Sequence, residues 1–279
     1  MPWEFTDDVE LYAARTWDLL AARPAENTVA LTVIGNLRAG RRWSSEPVVL
    51  GWYDDGGVSG AVSLTPPYEL LLAVVPDRTV GELAAELRAR RVRVPGVNGD
   101  VATADRFVRE WTAGTGAGAV NAMPQRLYVL AELRPPATPG GRPRRAEAQE
   151  LDVGVRWFSA FQREVGAHAV DVEPTVQEWI EEGRLWLWED DSHEVVSLAG
   201  RQRTAGGVAR VGPVYTPHEQ RRRGFAAAVT AACSGDALRR GAEHVVLFTD
   251  LANPTSNAIY QQIGFRPVRD RTVIRFAAR

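Results

Sequence analysis

The chain has 279 residues, 45% hydrophobic and 24% charged, the size and composition of one or two ordinary globular domains. Its net charge of −2 argues against nucleic acid as an electrostatic partner, and no apolar run reaches the roughly 18 residues of a membrane span. The single cysteine, Cys233, excludes an internal disulfide and a thiolate metal cluster. The opening residues carry no basic-then-apolar signal pattern, so the expectation is a cytoplasmic protein with no membrane or nucleic-acid partner. All 33 basic residues are arginines, which together with abundant alanine, valine and glycine suggests a GC-rich bacterial coding sequence.

Along the chain, apolar residues at helical spacing predict helices over 9–22 and 25–37. Strands are expected over 48–53, 58–64 and 70–75, helices over 80–91 and 102–111, and a closing strand over 127–133. Residues 134–145 (RPPATPGGRPRR) are too rich in proline and glycine for an element interior. They suggest an N-terminal domain over 1–134, a linker over 135–145 and a C-terminal domain over 146–279. Beyond the linker, helices are expected over 146–165 and from Thr175 to Glu182, then strands over 185–188, 194–200 and 207–215. Trp186 and Trp188 alternate with leucines, which predicts core packing on both faces of that strand.

The chemistry concentrates between Val211 and Phe265. A β-rich run breaks at Pro217 into the loop His218-Glu219-Gln220-Arg221-Arg222-Arg223-Gly224, followed by an alanine-rich helix on which Cys233 reads as a small apolar residue. The first amides of a helix have no internal partners and the helix dipole is positive there, so an anion can be held by backbone alone. Gly224 and Ala226 are small enough to let that anion approach, and Arg221, Arg222 and Arg223 add fixed charge. Val245 to Thr249 reads as a buried strand. Asn253 before Pro254 reads as a helix cap, and Asn257 lies one turn on, either in reach of a ligand or solvated. Pro213 marks either a strand start or a point where the strand bulges away from a neighbour.

Arg221-x-x-Gly224-x-Ala226 after a strand, followed by the block from Asn253 through Tyr260 to Gly264-Phe265, resembles the GCN5-related N-acetyltransferases over about residues 208–276. The resemblance implies an α/β fold with a mixed sheet. It implies acetyl-CoA as acyl donor, held by Val214, Tyr215 and Thr216 of a splayed strand, by the pyrophosphate loop from Arg221 to Ala227 including Phe225, and by Asn253 and Asn257. Tyr260 matches the family's proton donor to the departing thiolate; the competing role is packing of its ring on the sheet. No general base stands out among Asp250, Glu164, His168 and Glu173, and His193 and His244 have less to recommend them.

The N-terminal half follows the same order of elements, and its counterpart loop, Val75-Pro76-Asp77-Arg78-Thr79-Val80-Gly81-Glu82, lacks the phosphate pattern and places acids where an anion would sit. It reads as a degenerate copy of the fold or an unrelated α/β domain; resemblance to two-domain family members favours the copy. The implied function is transfer of an acetyl group to a primary amine of a small molecule or peptide. A non-catalytic acyl-CoA-binding or sensing protein and an interaction protein remain as alternatives.

Overall fold

Asp8 accepts hydrogen bonds from the Glu10 and Leu11 amides at 2.8 and 3.1 Å, so α1 (Val9–Ala21) starts where two orphan amides meet a carboxylate. The computed structural model describes residues 3–277 and divides into two units. One unit comprises Met1–Leu127, Asp250–Ala252 and Val268–Arg279; the other comprises Tyr128–Thr249 and Asn253–Pro267.

In the first unit β1 (Trp3–Thr6) and α1 lead to α2 (Thr28–Arg38), β2 (Val49–Asp54), β3 (Val58–Leu64) and β4 (Leu70–Val74). Then come α3 (Val80–Ala89), β5 (Gly96–Asp100), α4 (Val101–Thr115) and β6 (Ala119–Leu130), whose last residues belong to the second unit. In the second unit β7 (Arg142–Arg145), α5 (Leu151–Glu164) and α6 (Glu173–Glu181) lead to β8 (Leu185–Glu189), β9 (Val195–Arg201) and β10 (Val208–Tyr215). After them come α7 (Phe225–Arg239), β11 (His244–Asp250), α8 (Pro254–Gln262) and β12 (Phe265–Phe276). Strand, paired helices, strand meander, helix, strand, helix, strand: the N-terminal half repeats the element order of the C-terminal half. β4 pairs parallel with β5 in one half and β10 with β11 in the other, each pair bridged by a helix as parallel strands require.

The last strand returns to the first half. Beyond Pro267, β12 belongs to the first unit and pairs antiparallel with β5, from Arg271 opposite Asp100 to Arg275 opposite Gly96. Here β5 needs its glycines: a Cβ on Gly96 would sit 2.3 Å from the Ile274 carbonyl oxygen, and one on Gly99 would sit 3.0 Å from the Leu72 Cβ. This is why Gly-Val-Asn-Gly-Asp, turn-like in composition, forms a strand that its sequence does not announce.

In the second unit the sheet is packed on both faces. Trp186 and Trp188 join α7 residues Phe225, Ala228 and Val229 in one cluster, while Leu185 and Leu187 join Trp157 of α5 and Trp179 of α6 in the other. The expected alternation of leucine and tryptophan therefore serves two cores. The helix expected over 146–165 starts with a 3-10 turn at Ala148–Glu150, closed by reciprocal bonds of Glu147 and Glu150, before α5 proper. Arg142 to Arg145, inside the expected linker, pair with β8 as the strand β7; Arg144 bonds Glu189 and Glu150 at 2.7 and 2.6 Å.

One buried acid fastens these elements to α7. Asp236 is 3% exposed and binds Arg145, Arg201 and Arg240 at 2.9, 3.1 and 3.1 Å. Burial works to raise its carboxyl pKa, but hydrogen bonds from Arg145 and Arg201 outweigh that and hold it below the usual carboxylate value. A depressed pKa stabilises the fold above the unfolded value and the contribution fades as pH falls through the folded one. Asp236→Ala leaves Arg201 buried without a counter-charge and is expected to cost about 3–5 kcal/mol in urea denaturation at neutral pH. The wild type is expected to lose stability below about pH 4, more steeply than Asp236→Asn. A loss under about 1 kcal/mol would show that the cluster is not structural.

Candidate functional site

Parallel pairing of β10 with β11 couples Val208 with His244, Ala209 with Val245 and Arg210 with Val246, then stops, although β10 runs on to Tyr215. On its other edge β10 stays paired to β9 through Val214 and Tyr215, with a register shift between Val211 and Val214. The shift contains Gly212 and Pro213, and a residue without a backbone N–H fits at such a bulge. The β10–β11 ladder therefore ends three residues before Pro213, which sits in the bulge on the β9 side, and beyond it lies a gap bordered by Val214, Tyr215 and Thr216.

Past the gap, a 3-10 turn at His218–Gln220 leads to Gly224, the residue before α7, at φ +88° with no side chain capping the helix. The first helical bond runs from the Ala228 amide to the Gly224 carbonyl at 3.1 Å. The Phe225, Ala226 and Ala227 amides precede it and have no helical acceptor. Phe225 and Ala227 are buried in the core below α7, which anchors the start of the helix while Gly224 is exposed.

The arginines divide the work in a way the sequence does not show. Arg221 donates from Nε to the Thr216 carbonyl at 2.9 Å and from Nη2 to both Glu164 oxygens at 2.7 Å, so it ties loop to strand and to α5. Arg223 bonds Gln220 and lies 4.8 Å over the Phe225 ring. Arg222, exposed at φ +63°, makes no hydrogen bond or ion pair with the described residues. It is the guanidinium with charge to offer.

Around the gap, Thr216 shares a hydrogen bond with Ser197 at 2.8 Å, and the Tyr215 ring lies 6.1 Å from that of Trp157. Tyr215 donates to Glu164 at 3.4 Å, and burial together with the Glu164 charge raises its phenol pKa. On α8, Asn253 caps the helix by accepting from the Ser256 amide at 3.0 Å. Asn257 bonds the Asn253 carbonyl at 2.7 Å and accepts from the Tyr128 hydroxyl at 2.8 Å, so it is a structural link within the site. Tyr260 packs between Tyr128 and Phe265, ring centroids 6.5 and 6.2 Å away, and its hydroxyl bonds no described residue. Burial pushes this phenol up to about 12. Tyr128, fully buried near the end of β6 and bonded also by Gln261 at 3.2 Å, supports both Asn257 and Tyr260. Its position in an alternating apolar strand gave it no signal beyond packing.

The candidate bases scatter. Glu164 is occupied by Arg221, and His193 Nδ1 lies 3.2 Å from Glu189 in the ion cluster of β7 and β8. Asp250 accepts from the Ala252 amide at 2.8 Å, Glu173 begins α6, His168 lies between α5 and α6, and His244 begins β11. Among the described residues no group of three or more His, Cys, Asp or Glu is placed to hold a metal, and no helix is long and apolar enough to cross a membrane.

In the first unit the corresponding junction is closed. Thr79, 1% exposed, bonds the Pro76 carbonyl through both its amide and its hydroxyl, at 2.9 and 2.8 Å, and its own carbonyl accepts from the Trp3 indole at 3.3 Å. Asp77 and Glu82 bring negative charge to the start of α3.

Residues 192–274 match the family model described as FR47-like protein. No curated protein matches the sequence significantly. Among solved structures, the chain resembles a GCN5-related N-acetyltransferase from Kribbella flavida at 20% identity and a TM-score of 0.59, over 93% of this chain and 96% of that one. A GCN5-related N-acetyltransferase from Sphaerobacter thermophilus matches at 17% identity and 0.60, over 98% and 95%. A tandem GNAT protein from the clavulanic acid biosynthesis pathway matches at 16% and 0.58, over 99% and 98%.

The left-handed backbone at Gly224 gives a direct test. Gly224→Ala is expected to lower stability by about 1–2 kcal/mol in chemical denaturation, whereas Gly224→Asn, which tolerates that conformation, loses less. Equal losses would show that φ is not what glycine supplies there.

Proposed function

We propose that this chain is a GCN5-related N-acetyltransferase, an enzyme that moves an acetyl group from acetyl-CoA to a primary amine, using its C-terminal half. The observation that carries the reading is the coincidence of two features on one parallel pair. The β10–β11 ladder ends after Arg210, and the uncapped start of α7 follows within the same crossover. A pantetheine arm needs backbone groups along an opened strand edge, and a pyrophosphate needs amides that no side chain occupies. Residues 214–216 and 224–227 fit those needs, with Arg222 as the available cation. Arg221 and Arg223 serve the same site by holding the loop, and Asn253 and Asn257 by setting the start of α8.

Bound acetyl-CoA supplies a thioester carbonyl that an amine nitrogen can attack, with a thiolate as leaving group. The chain's part is to align the two and to stabilise the sulfur as it departs. Tyr260 is the group for the second task. An exposed phenol near 10 would hand over its proton readily, but at about 12 Tyr260 stays protonated and acts chiefly as a hydrogen-bond donor to the sulfur. The proton that ends on sulfur comes, in balance, from the attacking amine. No single base is required, which agrees with Glu164 being held in an ion pair.

Tyr260→Phe keeps the ring packing and removes only the donor. It is expected to lower kcat about 10–100-fold while acetyl-CoA still raises the melting temperature. Because the phenol stays protonated until about 12, the wild-type rate should show no loss from Tyr260 ionisation up to about pH 11. Acetyl-CoA binding without thiol release across a broad amine panel would instead identify a non-catalytic acyl-CoA-binding protein. Unchanged turnover in Tyr260→Phe would remove Tyr260 from the mechanism.

A further inference from the structure

Arg210 occupies the last paired rung of β10 and β11, immediately before the strands part. Its neighbours Ala209 and Val211 both belong to the cluster beneath α7. Alternation along a strand therefore sends the Arg210 side chain to the opposite face, the one on which Tyr215 meets Trp157 of α5. The guanidinium is half-buried and makes no hydrogen bond or ion pair with any described residue. Other arginines buried in this unit are paired: Arg184 with Glu178 and Glu182, Arg201 with Asp236. Desolvation alone pulls Arg210 down to about 10, the signature of a cation lacking a counter-charge.

A desolvated and unpaired cation is a standing cost to the fold. Its place suggests what offsets it. The α7 face of the gap is filled by Val214, Ile259, Tyr260 and the cluster they pack on, so an acceptor reaching the gap must come over the face that carries Arg210. A guanidinium fork presents paired donors suited to two oxygens of one anion.

We propose that Arg210 binds an anionic group, carboxylate or phosphate, carried by the amine acceptor, so that the acceptor is a small molecule bearing both an amine and an acid. This rests on the acetyl-transfer reading above and narrows its acceptor from amines in general to zwitterionic ones. Cationic polyamines are disfavoured, because the group that meets them at the gap has their own sign.

The test measures thiol release from acetyl-CoA with matched acceptors: amino acids against the amines left by removing their carboxylate, and phosphoethanolamine against ethanolamine. In the wild type the acid-bearing member of at least one pair is expected to win by about 10–100-fold in kcat/KM, and the pair that shows the preference identifies the anion. Arg210→Gln should collapse that ratio toward one, mainly through KM, and Arg210→Lys should restore part of it. Acetyl-CoA should still raise the melting temperature of Arg210→Gln, and Arg210→Met should melt no lower than wild type, since it removes an unpaired charge. A wild type that prefers the neutral amines, or an Arg210→Gln enzyme that keeps the preference for acids, overturns the proposal while leaving acetyl transfer intact. Failure of acetyl-CoA to bind, or of any amine to release thiol, sinks the acetyl-transfer reading itself and this proposal with it.

Discussion

The register of one parallel pair governs the C-terminal half. β10 and β11 share a ladder only as far as Arg210 and Val246, and everything of chemical interest follows from their separation beyond that rung. A regular parallel ladder would satisfy every backbone group and leave no room for a ligand between the strands. The bulge at Gly212 and Pro213 breaks the regularity on the β9 side, where it is tolerated because Val214 and Tyr215 resume pairing. The cost is recovered by packing on both faces: α7 and α8 over one, α5 and α6 over the other.

The loop after the gap shows how charge can be spent on architecture. Three consecutive arginines look like one anion-binding patch, yet Arg221 is used to lock Thr216 and Glu164 and Arg223 to close the turn on Gln220 and Phe225. What remains for a ligand is main chain at the start of α7 together with Arg222. The same division separates the two halves. In the first unit, Thr79 closes its turn internally and acids flank α3, so the same order of elements occurs without the features that would receive an anion.

Much of this was legible because it depends on local rules. The helix start at Asn253-Pro254, the freedom of Gly224 and the alternation of Leu185 to Trp188 each follow from a few neighbouring residues, and each forms as read. What was not legible depends on partners far along the chain. The strand containing Gly96 and Gly99 was given no assignment because the strand it pairs with, and the leucine it makes room for, lie elsewhere in sequence. Arg142 to Arg145 read as linker because their acid partners, Glu189 and Asp236, come 47 and 91 residues later. Tyr128 and Arg210 were passed over for the same reason: one lies in an ordinary apolar strand, and the other is notable only for contacts it does not make.

Amide hydrogen exchange with and without acetyl-CoA tests the central claim most directly, since the grip on the donor is assigned to backbone nitrogens. Slowed exchange at residues 225–227 and along 214–216, with no change at the start of α3, is the expected result. Unchanged exchange at the start of α7 under saturating acetyl-CoA, or protection confined to the first unit, would contradict it.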